Sequence, residues 1–205
     1  MGQSATSLLQ EGIDLADDGE YESAVAVLTR AIAADPANAH PYFERAMALL
    51  NLDCDVQALE DFTRALERNP TNAPIRQWRA RTFSGLGEHR ASAEDWLRSL
   101  RDQPEGPHRG SGVCPQNWAD CAEEFAKAGD PEQAIALLEE YLDLHASRVT
   151  IYAVYATAPL RVLARLLSDK GHVERARELA ARACASPHRV PADKWLAERL
   201  GIPCT

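Results

Sequence analysis

No stretch of the 205-residue chain approaches the ~18 consecutive apolar residues that a membrane-spanning helix requires, so no membrane association is expected. The opening MGQSATSLLQEGIDLADDGE has neither a basic n-region nor a continuous apolar core, so a secretory signal is not expected. Surplus positive charge is missing too. The chain holds 22 basic and 31 acidic residues, net −9, and a nucleic-acid backbone calls for clustered Lys and Arg, so nucleic acid is not expected as a partner. Lysine is scarce: the cations are 3 Lys and 19 Arg, a skew that fits a GC-rich, bacterial coding genome. Paired cysteines are absent. Cys54, Cys114, Cys121, Cys184 and Cys204 are widely spaced, with no CxxC and no zinc-finger spacing, so reduced thiols in a cytoplasmic protein are expected, with no metal and no cofactor. The six histidines accompany no GxSxG, HExxH or GxxxxGK signature. Neighbours such as Glu139 and Glu140 on one helix do not face each other, and no catalytic residue is expected.

What the chain does have is a period. Pro36, Pro70 and Pro104 are evenly spaced and end the phrases AIAADP, ALERNP and SLRDQP. With each proline at position 32, units begin at Ala5, Ala39 and Ala73. Position 8 then reads Gly12, Ala46, Ala80; position 20 reads Ala24, Ala58, Ser92; position 24 reads Leu28, Phe62, Trp96; position 27 reads Ala31, Ala65, Ser99. Position 15 reads Gly19, Asp53, Gly87. Small residues at 8 and 20 allow two helices to approach closely, a large apolar residue at 24 fills the space between units, and proline stops the second helix.

This pattern resembles the tetratricopeptide repeat, a 34-residue helix–turn–helix unit whose length is the spacing of those prolines. A fourth unit starts at Pro115, with Trp118, Ala122, Phe125, Gly129, Ala134 and Leu138 in register and Asp130-Pro131-Glu132 opening its second helix. Cys121 falls at position 7, a buried site. A fifth starts at Thr157, with Ala164, Gly171, Ala176 and Ala183 in register. The resemblance implies an all-α fold, a right-handed α-solenoid of five helix pairs with a C-terminal capping helix. Residues 5–106 hold units one to three, 107–114 a loop insertion, 115–190 units four and five, and 191–205 the capping helix and tail. The fifth first helix is expected to run long, from about Val149 to Asp169, kinked or split at Pro159, with a strand over 149–155 as the alternative. Trp195, Leu196 and Leu200 are expected to cover the end of the stack. MGQSAT also matches the short myristoylation pattern at Gly2, but reads more simply as a start before a helix capped by Ser4 or Thr6.

The resemblance further implies that positions 2, 5, 9 and 12 of each first helix line a concave groove. The candidate partner-binding residues are Leu9, Ile13, Phe43, Met47 and Leu50, an apolar patch facing solvent, followed by Gln77, Trp78 and Arg81, and by Arg161 and Arg165 toward the C-terminus. The two last arginines have Glu123 and Asp169 as alternative partners. The family's carboxylate clamp for heat-shock proteins would need Lys and Asn where Leu9 and Ile13 stand, so that ligand is not implied. Charge is patterned: residues 1–72 carry net −9 and residues 149–205 net +4, which a solvated helical face explains but which would also suit head-to-tail self-association. The expected function is a non-catalytic interaction module that binds another protein or peptide, as adaptor, regulator or specific inhibitor, with a receptor for a short signalling peptide as the alternative. If the register is right, Ala24→Leu and Ala58→Leu each cost ~1–3 kcal/mol by overpacking the helix contact. Thermal melts of the two variants check this, and unchanged melting would contradict the register.

Overall fold

A helix–turn–helix of one design recurs five times in a computed structural model that describes residues 3–102, 114–145, 157–187 and 189–203. Eleven helices and no strand occur among them. They fall into two compact units, residues 1–88 and 89–205.

The first unit holds α1 (Ala5–Asp17), α2 (Tyr21–Ala34), α3 (His40–Asn51), α4 (Asp55–Arg68) and α5 (Ala73–Gly85), each packed on the next. Ser4 caps α1, its hydroxyl accepting from the Ser7 N–H at 3.1 Å. The repeat positions are where burial is most complete. Ala24, Leu28, Ala46, Ala58, Phe62, Ala65 and Ala80 are fully buried, with Ala31 close behind. Gly12 shows why position 8 must be small: a Cβ there would lie 2.5 Å from Leu28 Cγ. Helices α2 and α4 stop before Asp35 and Asn69, whose φ/ψ of −143°/85° and −136°/78° lie outside the helical region that a following proline disfavours.

The second unit holds α6 (His89–Arg101), α7 (Pro115–Lys127), α8 (Pro131–His145), α9 (Ala158–Asp169), α10 (Val173–Cys184) and α11 (Pro191–Arg199). Its core includes Trp96, Cys121, Phe125, Leu138, Leu163 and Leu179, all buried. Trp118 meets Tyr141 at 5.5 Å between ring centroids, and burial pushes the Tyr141 phenol up to about 12. Cys121 is core, as its repeat position implied: its Sγ–H donates to the Ala93 carbonyl at 3.5 Å, and burial raises its pKa strongly. Asp130 opens α8 as expected, accepting from the Gln133 N–H.

Three details differ from the sequence reading. Pro159 sits in the first turn of α9, after Thr157, where proline fits without a kink; the rest of the expected long helix, and the strand alternative over 149–155, lie outside the described residues. So do Pro104 and most of the 107–114 insertion. Trp195 does not cover a core: it is 58% exposed, and Leu196 and Ala197 are the apolar side chains that α11 buries, Leu200 being only half-buried. Cys184 is disulfide-bonded, against the expectation of reduced thiols throughout, whereas Cys54, Cys114 and Cys121 are free.

Gly12→Ala would trade a gain in helix propensity of about 1 kcal/mol against a clash with the Leu28 branch point, and the clash wins by ~1–2 kcal/mol. Gly85→Ala, where nothing lies within 4 Å, has only the gain. Parallel urea melts should therefore move in opposite directions; two variants moving together would refute the packing argument.

Candidate partner-binding surface

The turns set the geometry. Gly19, Gly87, Gly129 and Gly171 have φ of 81°, 79°, 82° and 85°, and Asp53 takes 56° at the equivalent place. In each, the next N–H returns to the carbonyl five residues earlier: Glu20 to Leu15 at 2.8 Å, Cys54 to Leu49 at 2.9 Å, Glu88 to Phe83 at 2.9 Å, Asp130 to Phe125 at 2.9 Å, His172 to Leu167 at 2.8 Å. The same closure in five turns keeps the first helix of each pair presenting the same sequence positions.

In the first unit, Leu9 and Ile13 lie on α1, Phe43, Met47 and Leu50 on α3, and Gln77, Trp78 and Arg81 on α5. All are half-buried except Arg81, which is exposed. The patch is therefore less open than expected. Phe43, Met47, Leu50 and Trp78 pack against the cluster of Tyr42, Phe62, Leu66 and Ile75, and Leu9 against that of Ala24, Leu28 and Ala48. Phe43 is tilted against Phe62 at 6.0 Å. Each side chain has one side in the core and one in water, because helix-A positions 5 and 9 flank the packed position 8. The Arg81 guanidinium lies 5.2 Å from the Trp78 ring centre. His40 and Glu44, 3.0 Å apart, and Asn51, donating to the Met47 carbonyl at 2.9 Å, give the α3 row a polar edge.

In the second unit, Arg161 is committed elsewhere. Its Nη1 donates to Asp193 Oδ1 at 2.8 Å, and the carboxylate is fully buried, its other oxygen accepting from the Val190 N–H at 2.8 Å. This pair fastens α11 to α9. Arg165 lies 3.5 Å from Glu123 and 3.9 Å from Asp169, the partners the sequence offered as its alternatives.

A second buried ion pair escaped the sequence reading. Arg45 grips Asp61 with Nε and Nη2, both at 2.7 Å, and its Nη1 donates to Thr29 Oγ1 at 2.8 Å. Asp61 is buried, and the hydrogen bond from the guanidinium holds the Arg45 pKa above its usual value. The signal was periodic: Thr29/Thr63, Arg45/Arg79 and Asp61/Asp95 recur at the same spacing as the prolines, and Arg79 donates to Thr63 Oγ1 at 3.1 Å. With Val25, Leu49, Gln57, Glu60 and Arg64 the pair lines an open cleft of about 260 Å³. Among the described residues no group of His, Cys, Asp and Glu is arranged to hold a metal ion.

The model of the tetratricopeptide repeat family matches residues 9–73. Residues 9–73 thus carry tetratricopeptide repeats. Human serine/threonine-protein phosphatase 5 is 33% identical over 85 residues, 42% of this chain but 17% of the phosphatase, so the chain spans about a sixth of that relative's length. Similarity to solved structures runs through nearly the whole chain. A double mutant of MamA from strain RS-1 superposes with a TM-score of 0.68 at 12% identity, covering 97% of each chain. Pseudomonas aeruginosa PilF gives 0.63 at 16% identity, covering 96% of this chain and 82% of its own. YrrB gives 0.59 at 16%, covering 84% and 81%. At these identities the likeness is one of fold, a helical solenoid, and the repeat fold supports a protein-interaction module.

Asp193→Ala leaves Arg161 without its buried partner and Val190 without its acceptor, at a cost of ~2–4 kcal/mol. Hydrogen exchange should show α11 losing protection before α9 and α10. Uniform loss across all three helices would mean that the pair does not fasten α11 separately.

Proposed function

We propose that this protein binds a segment of a partner protein or peptide across the first-helix face of its first three repeats, without catalysis, as an adaptor, regulator or specific inhibitor. The observation that carries the reading is the row of half-buried apolar side chains, Leu9, Phe43, Met47 and Leu50, anchored on one side in two core clusters and open on the other. Side chains already fixed by packing lose little further freedom on binding, so contact with them costs little entropy. The Trp78–Arg81 pair adds an aromatic surface and a cation beside the row, of the residue types that dominate interface energetics. YrrB, which shares the fold, is described as having an unusual peptide-binding site, and this supports a peptide as one form of ligand. Arg161 and Arg165 are left out of the proposed site, since the first is bound to Asp193 and the second faces Glu123.

Met47→Ala and Arg81→Glu are the informative variants. The first removes a half-buried contact at about 1–2 kcal/mol of stability; the second changes an exposed residue and should leave the melting temperature close to wild type. Each is expected to weaken a partner captured by the wild-type protein by ~2–4 kcal/mol, while Val56→Ser, at an exposed position on α4, leaves binding intact. Calorimetric titration of the captured partner against the four proteins decides. Equal affinity for all four would move the site off this face.

A further inference from the structure

The most exposed aromatic side chain among those described is Trp195, 58% accessible on α11, with the Arg199 guanidinium 5.5 Å from its ring centre. Exposing an indole costs free energy that a partner would recover. On the same helix, Lys194 and Arg199 are exposed and form no ion pair among the described residues. Glu198 is the one exposed carboxylate on α11, because Asp193 is buried against Arg161. The exposed surface of α11 is thus an aromatic ring beside two cations and one carboxylate, net positive.

The complement lies on the same polypeptide. Residues 11–22 hold six carboxylates, Glu11, Asp14, Asp17, Asp18, Glu20 and Glu22, and no basic residue. None of the six enters an ion pair among the described residues; Glu11 and Asp14 accept only from Gln3 and Gln10. Five of them are exposed on the turn joining α1 to α2 and on its flanks, with Tyr21 half-buried between Glu20 and Glu22. This turn therefore offers anions for Lys194 and Arg199 and a ring edge for Trp195.

We propose that the Trp195 face of α11 docks on the acidic α1–α2 turn of a second copy of this chain. Each copy uses a different patch, so the contact is heterologous and builds rings or open chains instead of closing as a twofold dimer. Its attraction is largely between exposed charges, which makes it reversible and sensitive to salt. Neither patch includes the proposed partner-binding row, so the two functions are separable.

Sedimentation velocity of the full chain, over a concentration series at low ionic strength, tests this directly. The weight-average mass is expected to rise with concentration, and raising salt from ~50 to ~500 mM should weaken association at least about tenfold. Lys194→Glu/Arg199→Glu should abolish assembly, as should Asp17→Lys/Asp18→Lys. All four positions are exposed, and circular dichroism melts matching wild type would establish that both variants fold. Mixing the two charge-reversed proteins should restore assembly, since each then carries the complement of the other's altered patch. A wild-type chain that stays monomeric at every concentration overturns the proposal. So does assembly indifferent to either reversal, or a mixture that remains monomeric. A wild-type chain that remains monomeric yet binds poly-glutamate peptide through Trp195 would assign this face to an acidic partner instead, and would equally overturn it.

Discussion

Each helix pair in this protein depends on a reversal that one residue in the left-handed region makes possible. A helix must release its last carbonyls somewhere. Here the N–H after that residue takes up the carbonyl five positions back, so the chain turns without an orphaned polar group. The turn fixes how the second helix leaves the first. Only then can the small residues at positions 8 and 20 be buried, as Gly12, Ala24, Ala46 and Ala58 are. Asp53 is the instructive case: an aspartate accepts φ of 56° where glycine stands in the other four turns, and the hydrogen bond from Cys54 to Leu49 is kept. The hydrogen-bonded closure is the constant, and glycine is its easiest solution.

Close helix approach leaves the core of each pair built from small residues, and that has a cost in apolar area. Alanines fill positions where a larger side chain would bury more. Large side chains at position 24, Leu28, Phe62 and Trp96, recover part of it. Polar ties do the rest. Arg45–Asp61–Thr29 in the first unit and Arg161–Asp193–Val190 in the second each place a satisfied carboxylate in the interior. A satisfied buried pair adds little net stability over an apolar pair but rejects misaligned packings, since a slipped register would leave a charge unpaired in the core.

Much of the fold was legible in the sequence because the repeat is a spacing rule, and spacing survives in a single chain. The prolines, the small residues and the position-15 turn residues located the helix pairs, including the fourth and fifth, whose terminal prolines are missing. The apolar row was legible as a set of positions and misread as a surface. Helical periodicity says which side chains share a face; it does not say how deeply neighbouring helices cover that face, and Phe43 against Phe62 is a tertiary fact. Arg161 was misread for a related reason. Its partner, Asp193, lies on a helix outside the repeat, and no period links the two. The Arg45–Asp61 pair, by contrast, stands at positions whose residue types repeat in the sequence at Arg79 and Asp95, and was there to be read.

Arg68 carries a consequence for how this gene can change length. Its Nε donates to the Pro36 carbonyl at 2.6 Å and its Nη2 to the Tyr42 hydroxyl at 3.0 Å, with its guanidinium 4.2 Å from the Tyr42 ring centre. One side chain thus measures the whole length of chain from Pro36 onward against the turn that begins the second repeat. A codon gained or lost within α4 before Arg68 would rotate the guanidinium about 100° around its helix and leave three contacts unmade. Insertions there are filtered by geometry, whatever they do to binding, so α4 should drift in composition far more readily than in length.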